Sequence, residues 1–129
     1  MIYLDSSALV TFIVRRKHVD ALERFLAAQG ATTCTSTIGM VETVRICDQL
    51  GSYPNLMVRL VRDHREINVN EVIRDAAANL PGAVRSLDAV HIASAEQLGS
   101  ELTALVTYDK RMAEVARQRG LPVKMPGME

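Results

Sequence analysis

Apolar residues in this chain fall alternately into short solid runs and into stripes of helical spacing. Ile2-Tyr3-Leu4 is a solid run ended by Asp5-Ser6-Ser7, the pattern of a buried strand passing into a helix start, and Leu9, Val10, Phe12 and Ile13 continue as that helix. Val19, Leu22 and Leu26 predict a second helix that stops near Gly30, and Thr32 to Thr35 is β-branched and strand-like. A third helix is expected from Ile38 to Leu50. Gly51, Ser52 and Pro54 then break the chain before a fourth helix with Met57, Leu60 and Val61 on its apolar side. Ile67 to Val69 reads as a strand, and Asn70 as the cap of a short helix through Asn79. Pro81-Gly82 interrupts, and Ser86 caps a helix from Leu87 to Leu98. Leu102 to Tyr108 is a buried strand. Asp109 caps a last helix from Lys110 to Arg119, Gly120 ends it, and Leu121 to Val123 closes the pattern as a short strand. Strand alternating with helix predicts an α/β fold with a central, mostly parallel sheet of four to five strands flanked by helices in three layers. Ligands bind such sheets beyond the carboxyl ends of the strands.

Length and composition narrow the class. With 129 residues, one domain over 1–129 is expected, and 48% hydrophobic against 23% charged residues excludes disorder. The most apolar stretch, Ala8 to Val14, is far shorter than the roughly twenty residues of a membrane span. Met-Ile-Tyr-Leu-Asp lacks the basic lead of a signal peptide, so a cytoplasmic location is expected. Cys34 and Cys47 form neither a CxxC pair nor a disulfide framework and read as small core residues. The formal charge is zero, so no global basic footprint points to nucleic acid.

The candidate chemistry is carboxylate chemistry. Asp5, Asp88 and Asp109 each have an ordinary explanation, because Asp satisfies free N–H groups at helix starts. Asp5 and Asp109, however, both follow buried strands, and Asp88 opens an Ala-rich helix able to pack close to the sheet. Glu42 is harder to explain structurally: its neighbours four residues away are Ile38 and Ile46, so it lies on an apolar stripe, where a partner such as Arg45 is the ordinary solution. Two carboxylates about 4 Å apart repel by roughly 4 kcal/mol at an effective dielectric near 20, so four in one pocket require protons or cations. All-oxygen ligands suit Mg²⁺ or Mn²⁺, which polarise a phosphoryl oxygen and activate water for attack on a phosphodiester. Setting those four acids aside leaves 11 acidic residues against 15 basic, enough to make phosphate binding plausible.

The basic clusters Arg15-Arg16-Lys17-His18 and Arg59, Arg62, His64, Arg65 are candidates for an RNA-facing surface or simply solvated helix faces. His91, one turn after Asp88, is expected to hydrogen-bond it or a strand carbonyl from a packed position rather than to bind metal. Ser6, Ser7 and Thr107 adjoin the acids and are placed to orient them or to cap helices.

Taken together, Tyr3-Leu4-Asp5-Ser6-Ser7-Ala8-Leu9-Val10, the Glu42 helix, Ser86-Leu87-Asp88-Ala89-Val90-His91-Ile92-Ala93-Ser94-Ala95 and Thr107-Tyr108-Asp109 resemble the PIN-domain ribonucleases, and within them the VapC toxins of type II toxin–antitoxin systems. The likeness spans essentially the whole chain. It implies a PIN-like fold whose four acidic positions, here Asp5, Glu42, Asp88 and Asp109, are the catalytic residues and hold Mg²⁺ or Mn²⁺. It implies metal-dependent RNA cleavage, a homodimer, and a cognate VapB-type antitoxin whose C-terminal segment lies over the active-site groove. That groove is expected among the first, third and fourth helices, where Phe12, Ile13, Met57, Leu60 and Val61 exceed what a small core needs. Two rivals stand beside this reading. A phosphotransfer receiver needs adjacent acids after its first strand, where this chain has Asp5-Ser6-Ser7. A PIN-like domain that binds RNA or a partner without cleavage would share the same acids.

Overall fold

The structure is a computed structural model describing residues 1–82 and 84–129. Five parallel strands form one sheet in the order β3-β2-β1-β4-β5. The chain runs β1 (Ile2–Leu4), α1 (Ser6–Val14), α2 (Val19–Gln29), β2 (Thr33–Ser36), α3 (Thr37–Leu50), α4 (Leu56–Asp63), β3 (Arg65–Ile67), α5 (Glu71–Ala78), α6 (Ser86–Gln97), β4 (Ala104–Val106), α7 (Lys110–Gln118) and β5 (Val123–Lys124). A single 3₁₀ turn, Gly99–Glu101, precedes β4.

Every residue of β1 and β4 is buried, as befits strands covered on both faces. The two-residue side-chain alternation divides the core. Ile2, Leu4 and Val106 pack with Leu9, Leu22, Met40, Cys47 and Leu60 from α1 to α4. Tyr3, Cys34 and Leu105 face the opposite way, onto Ile92, Ala95, Met112 and Ala116 of α6 and α7. Both cysteines are free and fully buried, so they act as small core residues.

Helix positions follow the polarity pattern closely, and the strands shift. β3 occupies Arg65–Ile67 instead of Ile67–Val69, because its ladder pairs Cys34 with Arg65 and Ser36 with Ile67. β4 is trimmed to Ala104–Val106: the Leu102 N–H closes the 3₁₀ turn on Gly99, and Thr107, whose N–H still bonds the Lys124 carbonyl of β5, turns its hydroxyl to Asp5 at the strand end. β5 begins at Val123, since the Leu121 N–H instead bonds the Ala116 carbonyl and finishes α7. Ser86 is the first residue of α6 and not its cap; Arg85 holds the cap position and provides no side-chain cap. Among the described residues no helix is long and apolar enough to cross a membrane.

Candidate metal centre

Four of the strands run directly or through a few residues into helices at one sheet edge; the three central ones lead to Asp5, Glu42 and Asp109, and Asp88 comes from α6, which follows α5. Asp5, the residue after β1, is only 3% exposed and caps α1. Its Oδ1 accepts from the Ala8 N–H at 2.9 Å and the Ser7 hydroxyl at 2.6 Å, and its Oδ2 accepts from the Thr107 hydroxyl at 2.5 Å. The two hydroxyls are themselves tied to the β4–α7 junction: the Tyr108 N–H donates to Ser7 Oγ and the Asp109 N–H to Thr107 Oγ1. Ser7 and Thr107 therefore orient the acid and clasp two chain segments. Asp109 caps α7 through the Arg111 and Met112 N–H groups, both bonded to Oδ1.

Asp88 lies in the first turn of α6, where a helix N-terminus favours negative charge, with Arg85 Nε 3.9 Å away. Glu42 projects from the second turn of α3. Its partner is not Arg45: Glu42 Oε1 lies 2.6 Å from His91 Nε2. His91 in turn bonds neither Asp88 nor a strand carbonyl, since its Nδ1 is 2.7 Å from the Tyr3 hydroxyl. Glu42, Asp88 and Asp109 share the lining of one cleft of about 330 Å³ with Ser6, Arg85, Ser86 and Leu87; Asp5 is buried and does not line it, although the next residue, Ser6, does. A larger cavity of about 380 Å³ beside α5 and α6 has no ionisable side chain among its described lining residues.

Electrostatics couples these acids. Burial pushes the Asp5 carboxyl above its ordinary value, offset in part by His91 and by the donors from Ser7, Thr107 and Ala8. Burial also raises Asp88, and the charges of Asp109 and Asp5 raise it further against the pull of His91 and Arg85. The donor set, carboxylate oxygens that repel one another in a partly dry cleft, fits a hard divalent cation. Among the described residues no three His, Cys, Asp or Glu side chains are arranged to hold a metal ion together. Mg²⁺ usually keeps several waters and is bound through only one or two carboxylates.

Tyr3, Ser36 and Arg85 escaped the reading of the sequence. For Tyr3 a signal existed, because a tyrosine in a fully buried strand must find a partner for its hydroxyl. The predicted surplus of apolar surface is partly present: Phe12 is 37%, Met57 39% and Val61 54% exposed, and Leu60 belongs to the core. An apolar cleft of about 270 Å³ lined by Ile38, Val41, Arg45, Ile46 and Gln49 shares Glu42 and Leu87 with the acidic one, so its described walls are α3 and α6; none of Phe12, Ile13, Met57, Leu60 or Val61 lines it, and it is not the groove expected among the first, third and fourth helices.

The arginines and lysine of the basic clusters are exposed and partly paired, Arg15 with Glu23 at 2.6 Å and Arg62 with Asp63 at 2.8 Å, while His18 and His64 are half-buried.

Comparison with known proteins gives a consistent picture. The chain is 36% identical over 133 residues to Ribonuclease VapC47 of Mycobacterium tuberculosis, covering 98% of each. It is 36% identical over 127 residues to Ribonuclease VapC46 of that organism, covering 97% of each, and 38% over 136 residues to its Ribonuclease VapC35, covering 98% of each. Among solved structures, FitAcB from Neisseria gonorrhoeae aligns over the full length of both chains with a TM-score of 0.69 at 17% identity. FitAB bound to an IR36 DNA fragment aligns over 96% of this chain and 94% of that one, with a TM-score of 0.66 at 16% identity. The sequence profile of the PIN domain matches residues 2–118, so with these relatives the chain belongs to the PIN domain family and, within it, to the VapC proteins.

Proposed function

We propose that this chain is a divalent-metal-dependent ribonuclease, the toxin of a toxin–antitoxin pair, acting in the cytoplasm through Asp5, Glu42, Asp88 and Asp109. The observation that carries the proposal is the acidic cleft, three carboxylates on its wall and a fourth buried next in sequence to the lining residue Ser6, in a chain 36–38% identical over nearly its whole length to proteins named ribonucleases. Mg²⁺ or Mn²⁺ held by these acids would neutralise their repulsion, polarise a phosphoryl oxygen and lower the pKa of water for in-line attack. The chain's own part is positioning. Asp5 is fixed by three donors, Asp109 by the α7 N-terminus and Glu42 by His91, so little reorganisation is needed when an RNA phosphate arrives. Arg85 at the mouth stands ready to meet a phosphate oxygen.

A VapB-type antitoxin tail would lie on the adjoining apolar cleft and insert an Arg among the carboxylates, where its planar fork bonds two oxygens and competes with metal and phosphate. A homodimer is proposed for the toxin itself.

The test is cleavage of single-stranded or looped RNA by purified, partner-free protein. Activity should require Mg²⁺ or Mn²⁺, vanish with chelator, and vanish in folded Asp5→Asn and Asp88→Asn. Full cleavage by either variant would reject the site, and RNA binding without any cleavage would leave only a binding role.

A further inference from the structure

The sheet core beneath Glu42 contains a polar chain that packing alone does not require. Tyr3 is fully buried and His91 only 1% exposed. The ring of His91 touches Tyr3 through Nδ1 at 2.7 Å and Glu42 through Nε2 at 2.6 Å, and the Ser36 N–H donates to the Tyr3 hydroxyl at 3.3 Å. The directions of the two outer bonds follow from donor and acceptor chemistry. A carboxylate only accepts, so Nε2 carries the proton and donates to Glu42; Nδ1 and the Tyr3 hydroxyl share the next bond, and the Tyr3 oxygen accepts from Ser36. The chain runs from the β2–α3 junction through β1 and α6 to α3, so three elements converge on one carboxylate oxygen. It leaves the other oxygen of Glu42 with no hydrogen bond among the described residues.

We infer that Tyr3 and His91 are positioning residues that hold the Glu42 carboxylate at the cleft, fixing one of its oxygens so that the other is presented to a divalent cation. This rests on the metal reading of the cleft proposed above. Groups that orient a metal ligand from behind typically alter metal affinity by about 10–100-fold when removed.

Two measurements test it without relying on catalysis. In metal-free wild-type protein, long-range ¹H–¹⁵N spectra should show a proton on His91 Nε2; an Nε2 without a proton overturns the relay, because nothing would then donate to Glu42. Mn²⁺ titration by calorimetry, on variants whose thermal midpoints show them folded, supplies the second. His91→Asn removes the N–H facing Glu42 and should weaken Mn²⁺ about 10–100-fold, whereas His91→Gln keeps an N–H near the Nε2 position and should stay within a few-fold of wild type. Tyr3→Phe should weaken it less than His91→Asn. His91→Asn added to Glu42→Gln should bring no further loss, because it acts only through that carboxylate. If Glu42→Gln weakens Mn²⁺ and His91→Asn does not, or if the two losses add in full, the relay is wrong and the metal site survives. If wild type takes up no Mn²⁺, or Glu42→Gln binds it as wild type does, the metal reading itself fails, whatever tautomer His91 adopts.

Discussion

Thr107 serves two neighbours with one hydroxyl, donating to Asp5 and accepting from the Asp109 N–H. Thr107→Val keeps the shape and removes both bonds, leaving a buried carboxylate short of a donor and an N–H without an acceptor. The expected cost is about 1.5–3 kcal/mol in urea unfolding, with Thr107→Ser close to wild type. Asp88 should behave in the opposite sense. Its carboxyl is raised by burial and by Asp109 and Asp5, so its charge opposes the metal-free fold. Asp88→Asn should therefore stabilise metal-free protein by up to about 1 kcal/mol while lowering RNA cleavage about 100-fold or more, a trade of function against stability visible in one thermal scan and one activity assay.

Among the elements, α3 depends on a residue with no side chain. A Cβ on Gly39 would lie 2.1 Å from Thr35 Oγ1 and 3.2 Å from the His91 ring, so glycine is what allows α3 to come this close to β2 and α6. Gly39→Ala should destabilise by about 1–3 kcal/mol, as overpacking does. Adding Thr35→Ala should recover most of the loss, since Thr35 Oγ1 is buried with no hydrogen-bond partner among the described residues and is the nearest obstacle; no recovery in denaturant melts would locate the conflict at His91 instead. The same region explains what the sequence could reveal. Asp5 and Asp109 were legible because a strand-to-helix junction is written in adjacent residues and both acids cap their helices. Glu42 was legible as a polar residue on an apolar stripe. Its partner was not, because His91 lies 49 residues further on and only tertiary packing joins them. The strand ends were misjudged for a similar reason: local pattern marks β3 as apolar, but the ladder to β2 decides which residues pair.

For the whole molecule, β1 lies at the centre of the sheet, with β2 on one side and β4 on the other, and the acids gather where the chain connections diverge from it. Concentrating them there gives the protein a pH signature. Asp5 and Asp88 are both raised, so above the ordinary carboxylate range the native state binds more protons than the unfolded one, and stability falls as pH rises through that window. His64, lowered by burial, pulls the other way toward neutrality. The difference between wild type and Asp88→Asn isolates the acidic contribution, since His64 is common to both: the variant's advantage should grow from acid to neutral pH in chelator and shrink when Mn²⁺ is added. An advantage independent of pH would contradict the raised Asp88. The clasp at Asp5 also has a consequence in time. Its Thr107 donor lies 102 residues downstream. At about 5–20 residues per second of synthesis, Asp5 leads Thr107 by on the order of 5–20 s. A growing chain thus carries its first acid long before it has the residues that hold it in place, so any hydrolytic power of the acidic centre is withheld until most of the polypeptide has left the ribosome.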